Sequence, residues 1–103
     1  MPVSTAMQRA LTLALQGGFA VANPVVLDVT VADTLTVSCP NGKSRVVFDP
    51  WPFDGLKHDV ADGELVTFRN LGPFTFLCHI TPPGMPEVGY QGSGGTGNVR
   101  PPK

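Results

Sequence analysis

Two cysteines and two histidines are the residues of this chain best suited to metal binding. Cys39, His58, Cys78 and His79 could in principle supply four ligands to a tetrahedral zinc site, but the paired spacing of such ligands is missing. Because Cys78 and His79 are consecutive in a predicted strand, their side chains point to opposite faces. We therefore interpret both cysteines as small buried apolar residues. If the chain is exported, a Cys39–Cys78 disulfide in a small β domain becomes the leading alternative.

The motifs that could support catalysis are incomplete. His58-Asp59 could form half of a catalytic dyad, but no Ser or Cys nucleophile stands in a recognised pattern beside it. Ser93 lies between glycines without the strand-to-helix turn of a nucleophile elbow. The glycine-rich stretch 92–97 lacks the strand, helix and lysine of a phosphate-binding loop. The sequence therefore predicts a protein that is not an enzyme and has no cofactor.

One stretch of the sequence carries a family resemblance. Residues 74–85, FTFLCHITPPGM, resemble the copper loop of plastocyanin-type cupredoxins, where an aromatic-rich strand leads into a Cys, a His and a Met. Residues 45–49, RVVFD, are similar to the segment that follows the first ligand His of that family. The resemblance implies a cupredoxin-like sandwich for electron transfer or metal binding, with Cys78 and Met85 as the thiolate and the weak axial ligand.

The resemblance also shows departures from the copper-binding pattern. Its two histidine positions fall on Ser44 and near Thr81, and His79 is the only imidazole close to Cys78 in the sequence. A blue-copper centre needs two histidines and a cysteine in one plane. The copper site that the resemblance implies would therefore be degenerate, with Cys78, Met85 and His79 as its remaining candidates.

The segment Pro50-Trp51-Pro52-Phe53 is the feature best suited to recognition of a partner. Its two prolines favour an extended loop, and aromatic side chains on such a loop offer large contact area at small entropic cost. Alternatively, Trp51 and Phe53 fold back over one end of the domain as a lid, because a small domain needs its aromatic side chains for burial.

The composition excludes several classes of protein. A length of 103 residues suits one domain, and 42% hydrophobic with 15% charged residues excludes a highly charged disordered chain. The net charge is −1 and the basic residues are scattered, so the chain lacks the clustered positive charge of a nucleic-acid-binding protein. No apolar run approaches the ~20 residues of a membrane span. The 12 glycines and 11 prolines predict a loop-rich globular protein.

Three segments follow from the distribution of residues: an N-terminal helical segment 1–23, a β domain 24–81 and an extended Gly/Pro-rich arm 82–103. The first segment contains an apolar stripe at helical spacing, formed by Met7, Leu11, Ala14 and Leu15. A helix there would begin at Ser4 or Thr5 and end at Gly17-Gly18. The competing interpretation is a secretory signal with a cleavage site at Ala20-Val21-Ala22.

The second segment shows the alternation of β-strands. Apolar residues occupy odd positions from Val25 to Cys39, interrupted by Asp33, which predicts one bent strand or two strands that meet at a corner. Further strands are predicted over 45–48, 64–69 and 74–80. In the third segment, residues 92–97 have the composition of a linker and need contacts from another chain to become ordered. The predicted fold is mainly β: a small, partly open barrel or sandwich of five or six strands.

The predicted function is that of a non-catalytic assembly subunit, an accessory or decoration (cement) protein of a large symmetric particle such as a viral capsid or tail. Other subunits, including copies of this chain, would hold both termini, because neither terminal segment has sufficient contacts of its own. The expected location is a virion or other large assembly, otherwise the cytoplasm, with export as a less favoured alternative. The residues expected to contact partners are Met7, Leu11, Leu15, Trp51, Phe53, Tyr90, Val99 and Arg100.

Overall fold

The computed structural model describes residues 6–16, 19–40, 42–87 and 94–101. Within these ranges nine β-strands form two sheets, and there is no helix that could cross a membrane. The strands are β1 (Gln8–Gln16), β2 (Phe19–Asn23), β3 (Val26–Thr30), β4 (Thr34–Ser38), β5 (Lys43–Asp49), β6 (Asp59–Ala61), β7 (Leu65–Thr67), β8 (Gly72–Thr81) and β9 (Gly94–Arg100).

The strand order defines two open sheets. The four-stranded sheet has the order β2-β1-β4-β7, in which β1 is antiparallel to β2 and parallel to β4, and β4 is antiparallel to β7. The five-stranded sheet has the order β3-β9-β8-β5-β6, with a parallel β3–β9 pair and antiparallel pairs elsewhere. The mainly β prediction is confirmed. Neither sheet closes on itself, so the fold is not a barrel, and the described strands number nine rather than five or six.

One hydrophobic core lies between the two sheets. Across it, β1 and β2 contact β8, and β4 contacts β5. The core draws side chains from all three segments that the composition distinguishes. Its buried members are Leu11, Leu13, Ala20, Ala22, Leu27, Val29, Leu35, Val37, Cys39, Val46, Phe48, Phe53, Val60, Phe68, Phe74, Phe76, Cys78, Ile80 and Val99.

The predicted N-terminal helix is wrong for residues 8–16, which form β1. Leu11 and Leu13 are fully buried, while Ala10 and Thr12 face outward. Leucine and alanine favour helices, and their spacing here fits a helical stripe as well as a strand. Pairing with β2 on one side and β4 on the other stabilises the strand instead.

The second segment turns a corner at Ala32 and Asp33. Of the two alternatives that the sequence left open, the structure therefore has two strands rather than one bent strand. Ala32 adopts a φ of +82°, in the left-handed region, and the amide of Asp33 donates to the carbonyl of Thr30 at 3.0 Å. As a result β3 enters the five-stranded sheet and β4 enters the four-stranded sheet.

The carboxylate of Asp33 stabilises this corner from inside the molecule. Asp33 is only 2% exposed, and it accepts hydrogen bonds from the amides of Met7 (2.9 Å) and Thr30 (3.0 Å) and from the guanidinium of Arg9 (3.3 Å). Burial by itself raises the pKa of Asp33, but these hydrogen bonds outweigh burial and hold the pKa below its ordinary value. An ionised carboxylate thus joins the beginning of β1 to the end of β3.

The predicted strand over residues 74–80 is confirmed, within the longer β8. Phe74, Phe76, Cys78 and Ile80 are all buried, as the alternation indicated. On the other face, Leu77 is 40% exposed. β8 is the central strand of its sheet, with β9 on one side and β5 on the other.

The predicted extended arm is wrong for residues 94–100, which form β9 between β3 and β8. Gly97 lies opposite Phe74 and Gly95 opposite Phe76 in the antiparallel register. A Cβ atom on either glycine would collide with the phenyl ring of its partner, so the rings occupy the space that side chains of β9 would need. These glycines are therefore strand residues that allow close packing.

Several predicted features lie outside the described residues and are not placed by the structure. They are the expected helix ends Ser4, Thr5, Gly17 and Gly18, the expected partner contact Tyr90, and the glycine-loop residues Gly92 and Ser93.

Candidate functional site

The residues of the copper-loop resemblance do not converge on one site. Cys78 lies on the inner face of β8 and Ser44 on the inner face of β5, opposite Ile80. His79 lies on the outer face of β8. Met85, beyond the end of β8, is 59% exposed. The structure thus separates the single nearby imidazole from the thiol by the thickness of the sheet.

The chemistry of these side chains does not fit a blue-copper centre either. Cys78 is fully buried among apolar neighbours, and burial raises the pKa of its thiol to about 11. The hydroxyl of Ser44 donates to Asp62 at 2.6 Å, a hydrogen bond that lowers the pKa of that carboxyl. Copper of this type needs a thiolate and two imidazoles in one plane. Cys78 is instead a protonated thiol and Ser44 a hydroxyl bound to Asp62, so these side chains do not fit a blue-copper centre.

The two cysteines are both free thiols. Cys78 is fully buried and Cys39 is 9% exposed, so the interpretation as buried apolar residues fits their surroundings better than the disulfide does. Within the described part of the chain, no three His, Cys, Asp or Glu side chains form a group that could hold a metal ion.

His79 belongs to an ionic network on the outside of the five-stranded sheet. Arg45 donates two hydrogen bonds of 2.9 Å to Glu87 and lies 3.6 Å from Asp59. Nδ1 of His79 is 3.9 Å from the same Glu87 carboxylate. Burial and then the Arg45 guanidinium lower the pKa of His79, whereas Glu87 opposes them. The hydrogen bond from Arg45 lowers the pKa of Glu87, so the Arg45–Glu87 pair is ionised near neutral pH and ties residue 87 back to the sheet.

The aspartates around the aromatic loop have separate partners. Asp54 pairs with Arg69 at 3.2 Å, Asp59 with Arg45, and Asp62 with Ser44. They stabilise different parts of the surface. In the incomplete dyad His58-Asp59, the carboxylate of Asp59 is therefore engaged in an ion pair with Arg45.

The aromatic loop forms the lid that the sequence offered as an alternative to a recognition loop. Phe53 is 1% exposed and packs against Phe68, with ring centroids 4.6 Å apart. Trp51 is half-buried, and the centroid of its ring lies 4.9 Å from that of Phe53. Its indole N–H donates to the carbonyl of Asp54. A cleft of about 280 Å³ remains beside the lid, between Trp51 and Leu71.

The residues that were expected to contact partners occupy different environments. Leu11, Phe53 and Val99 are core side chains, so in this fold they cannot form a docking surface. Leu15 and Trp51 are half-buried against the core. Met7 is 54% exposed, and Arg100 is exposed in an ion pair with Asp28 at 2.8 Å.

A surface that the sequence reasoning missed is the outer face of the four-stranded sheet, here called the uncharged face. None of the outward side chains described on its strands is charged. They are Gln8, Ala10, Thr12, Ala14 and Gln16 on β1, Val21 and Asn23 on β2, Thr34, Thr36 and Ser38 on β4, and Leu65 and Thr67 on β7. The alternation of β1 could have indicated this face, had the segment been recognised as a strand.

The outer face of the five-stranded sheet, here called the charged face, has the opposite character. Its strands carry Asp28, Lys43, Arg45, Asp59, His79 and Arg100. Most of these groups form ion pairs, including Arg100 with Asp28 and Arg45 with Asp59. One sandwich thus presents two large faces of contrasting polarity.

Comparison with known proteins assigns no family. No family model matches the chain, and no curated protein matches it. Among solved structures, the chain is similar to Na-dithionite reduced auracyanin from the photosynthetic bacterium Roseiflexus castenholzii, with 17% sequence identity and a TM-score of 0.46. That alignment covers 94% of this chain and 100% of the other. A likeness of this size identifies neither the family nor the function of this chain.

Proposed function

We propose that this protein is a non-catalytic assembly subunit that acts through contacts with other protein subunits. The observation that supports this proposal is the uncharged face, a sheet surface whose described outward side chains are all uncharged. Centres of protein–protein interfaces are depleted of charged residues in the same way. An ordinary solvated sheet face of a small domain carries charges, as the charged face of this sandwich does.

The polar groups that could support chemistry favour the same proposal, because they have structural partners. Asp33 accepts hydrogen bonds from the backbone at the β3–β4 corner, and Ser44 donates to Asp62. Arg45 is engaged by two carboxylates, and Cys78 is enclosed in the core. Their roles in the fold account for their presence without a reaction.

A large symmetric particle, such as a viral capsid or tail, is the setting we propose for such a subunit. Its partners would be protein subunits, and the contacts would involve the sheet surface rather than Leu11, Phe53 or Val99, which are buried. Accessory subunits of this kind need complementary surfaces more than reactive groups.

The test is the composition of the assembly that contains the protein in its source. We expect the chain, isolated under gentle conditions and examined by native mass spectrometry, to be part of a complex of fixed stoichiometry. The same preparation should gain no thiolate-to-copper absorption band when copper(II) is added. Isolation as a free monomer at its natural concentration would contradict the proposal, and a copper band would favour the cupredoxin-like alternative instead.

A further inference from the structure

The uncharged face needs a partner surface that is uncharged as well. A surface with many charged groups would lose hydration against it without finding ionic partners. The charged face of this same sandwich is therefore a poor match, since contact with the uncharged face would leave groups such as Asp28 and Arg100 without water. Among the faces that the structure describes, the surface with matching polarity is the uncharged face itself.

Self-pairing of this face is geometrically simple. When identical surfaces meet around a two-fold axis, each residue contributes twice, so a face without charges meets a face without charges automatically. Thr12 lies near the middle of this surface, on β1, with Asn23 beside it on β2 and Ser38 beside it on β4. Leu65, which is 61% exposed on β7, adds apolar contact area at one side.

The size of the face limits self-pairing to a weak dimer. Its strands have nine, five, five and three residues. At about 3.4 Å per residue and about 4.8 Å between strands, they cover a footprint of about 350 Å². A standard interface buries about 800 Å² on each partner, and smaller interfaces belong to transient complexes. The expected dissociation constant is therefore in the micromolar to millimolar range.

From these observations we infer that the uncharged face is a self-association surface, which pairs with the same face of a second copy of this chain. This inference deepens the proposed function and rests on it, because it names one partner of the assembly subunit. It also moves the contact between copies from the chain termini to the outer surface of β1, β2, β4 and β7.

The experiment compares two matched substitutions by sedimentation equilibrium of the full chain, from about 10 µM to about 1 mM, which spans the expected weak affinity. Thr12→Arg puts a charge in the middle of the uncharged face. Thr96→Arg puts the same charge on the charged face, at a threonine of the inner strand β9 that is also exposed. We expect Thr12→Arg to raise the dissociation constant at least about tenfold, because two arginines would meet across the axis. Thr96→Arg and the conservative Thr12→Ser should change it by less than about twofold.

Circular dichroism and thermal unfolding of each variant verify the fold. If Thr12→Arg does not fold, Ala10→Arg on the same strand tests the same surface. The inference is overturned if the charge at residue 12 leaves association unchanged, if the charge at residue 96 weakens it equally, or if the wild-type chain remains monomeric. If the wild-type chain is monomeric by sedimentation but native mass spectrometry finds a fixed-stoichiometry complex with other subunits, only the self-association inference fails. A monomer in both measurements would overturn the inference and the proposed function together.

Discussion

At the scale of single residues, Asp33 shows how a buried charge can stabilise a turn. Three groups from two separate parts of the chain, the amides of Met7 and Thr30 and the side chain of Arg9, donate to one carboxylate. A buried carboxylate without such donors would be strongly destabilising. With them, the carboxylate gives two backbone amides an acceptor at the corner, beside the backbone hydrogen bonds that Ala32 and Asp33 donate.

Asp33→Asn should therefore lower the free energy of unfolding by about 2–4 kcal/mol near pH 7, because it removes the charge that Arg9 and two amides face. Chemical denaturation followed by tryptophan fluorescence measures this. The pKa of Asp33 is lower in the folded protein than its ordinary value, so its contribution is present above the unfolded-state pKa and is lost as the pH falls through the folded-state pKa. The difference between variant and wild type should consequently shrink in acid.

Asp28→Asn is the matched control for that experiment. Asp28 also faces an arginine, Arg100, but the pair is exposed to solvent. Exposed ion pairs contribute little, so this substitution should cost about 0.5 kcal/mol or less. Equal decreases in the free energy of unfolding for the two variants would show that the buried carboxylate of Asp33 does not stabilise the corner as proposed.

At the scale of strands, β9 explains how a glycine-rich segment can lie inside a sheet. Its register places Gly97 opposite Phe74 and Gly95 opposite Phe76, and each phenyl ring covers the neighbouring glycine. The aromatic side chains of one strand thus supply the apolar packing that the next strand lacks. The close approach also brings the carbonyl of Leu27, on β3, toward the position of the missing side chain.

Gly97→Ala should accordingly destabilise the fold by about 3 kcal/mol. The new Cβ would lie 2.5 Å from the carbonyl oxygen of Leu27 and would also collide with the Phe74 ring. The ring could move, but the strand carbonyl could not move without breaking the β3–β9 pairing. Thr96→Ala, next to it on the exposed side of β9, is the control and should change stability by less than about 1 kcal/mol. A tolerated alanine at residue 97, measured by urea unfolding, would contradict this packing.

The strands differ in how well the sequence predicts them, for physical reasons. The strands β3, β4 and β8 are visible in the sequence because apolar residues occupy alternate positions along them. β1 was assigned to a helix, since Leu11 and Leu15 satisfy both periods and only pairing with neighbouring strands distinguishes them. β9 gave no signal, because two of its inward positions, Gly95 and Gly97, are glycines whose packing comes from another strand.

The candidate surface was less predictable than the strands. Whether residues such as Thr12 and Thr36 face solvent depends on which side of each strand meets the core. When β1 is predicted as a helix, the side of it that faces outward cannot be assigned. The lack of charge at alternate positions of β1, β2, β4 and β7 becomes one continuous property only when the sheet order is known.

At the scale of the whole molecule, the core encloses Cys78 between the two sheets. Its thiol has no exposed surface, and burial raises its pKa to about 11, so it should react only after the sandwich opens. In a Cys39→Ser variant, which retains this single thiol, we expect labelling by a thiol reagent to follow the population of unfolded protein as denaturant is added. Rapid labelling of the native variant would contradict the enclosed position. A free cysteine peptide gives the reference rate.

The position of β9 also sets the order in which the sandwich can be completed. Among the strands that the structure describes, β3 pairs with β9 alone, and β9 separates it from β8. During synthesis, β3 leaves the ribosome well before its neighbour β9, and the rings of Phe74 and Phe76 emerge before the glycines they cover. The nascent chain must therefore keep its five-stranded sheet incomplete until residues 94–100 are released, with β3 and β8 unable to join the same sheet before then.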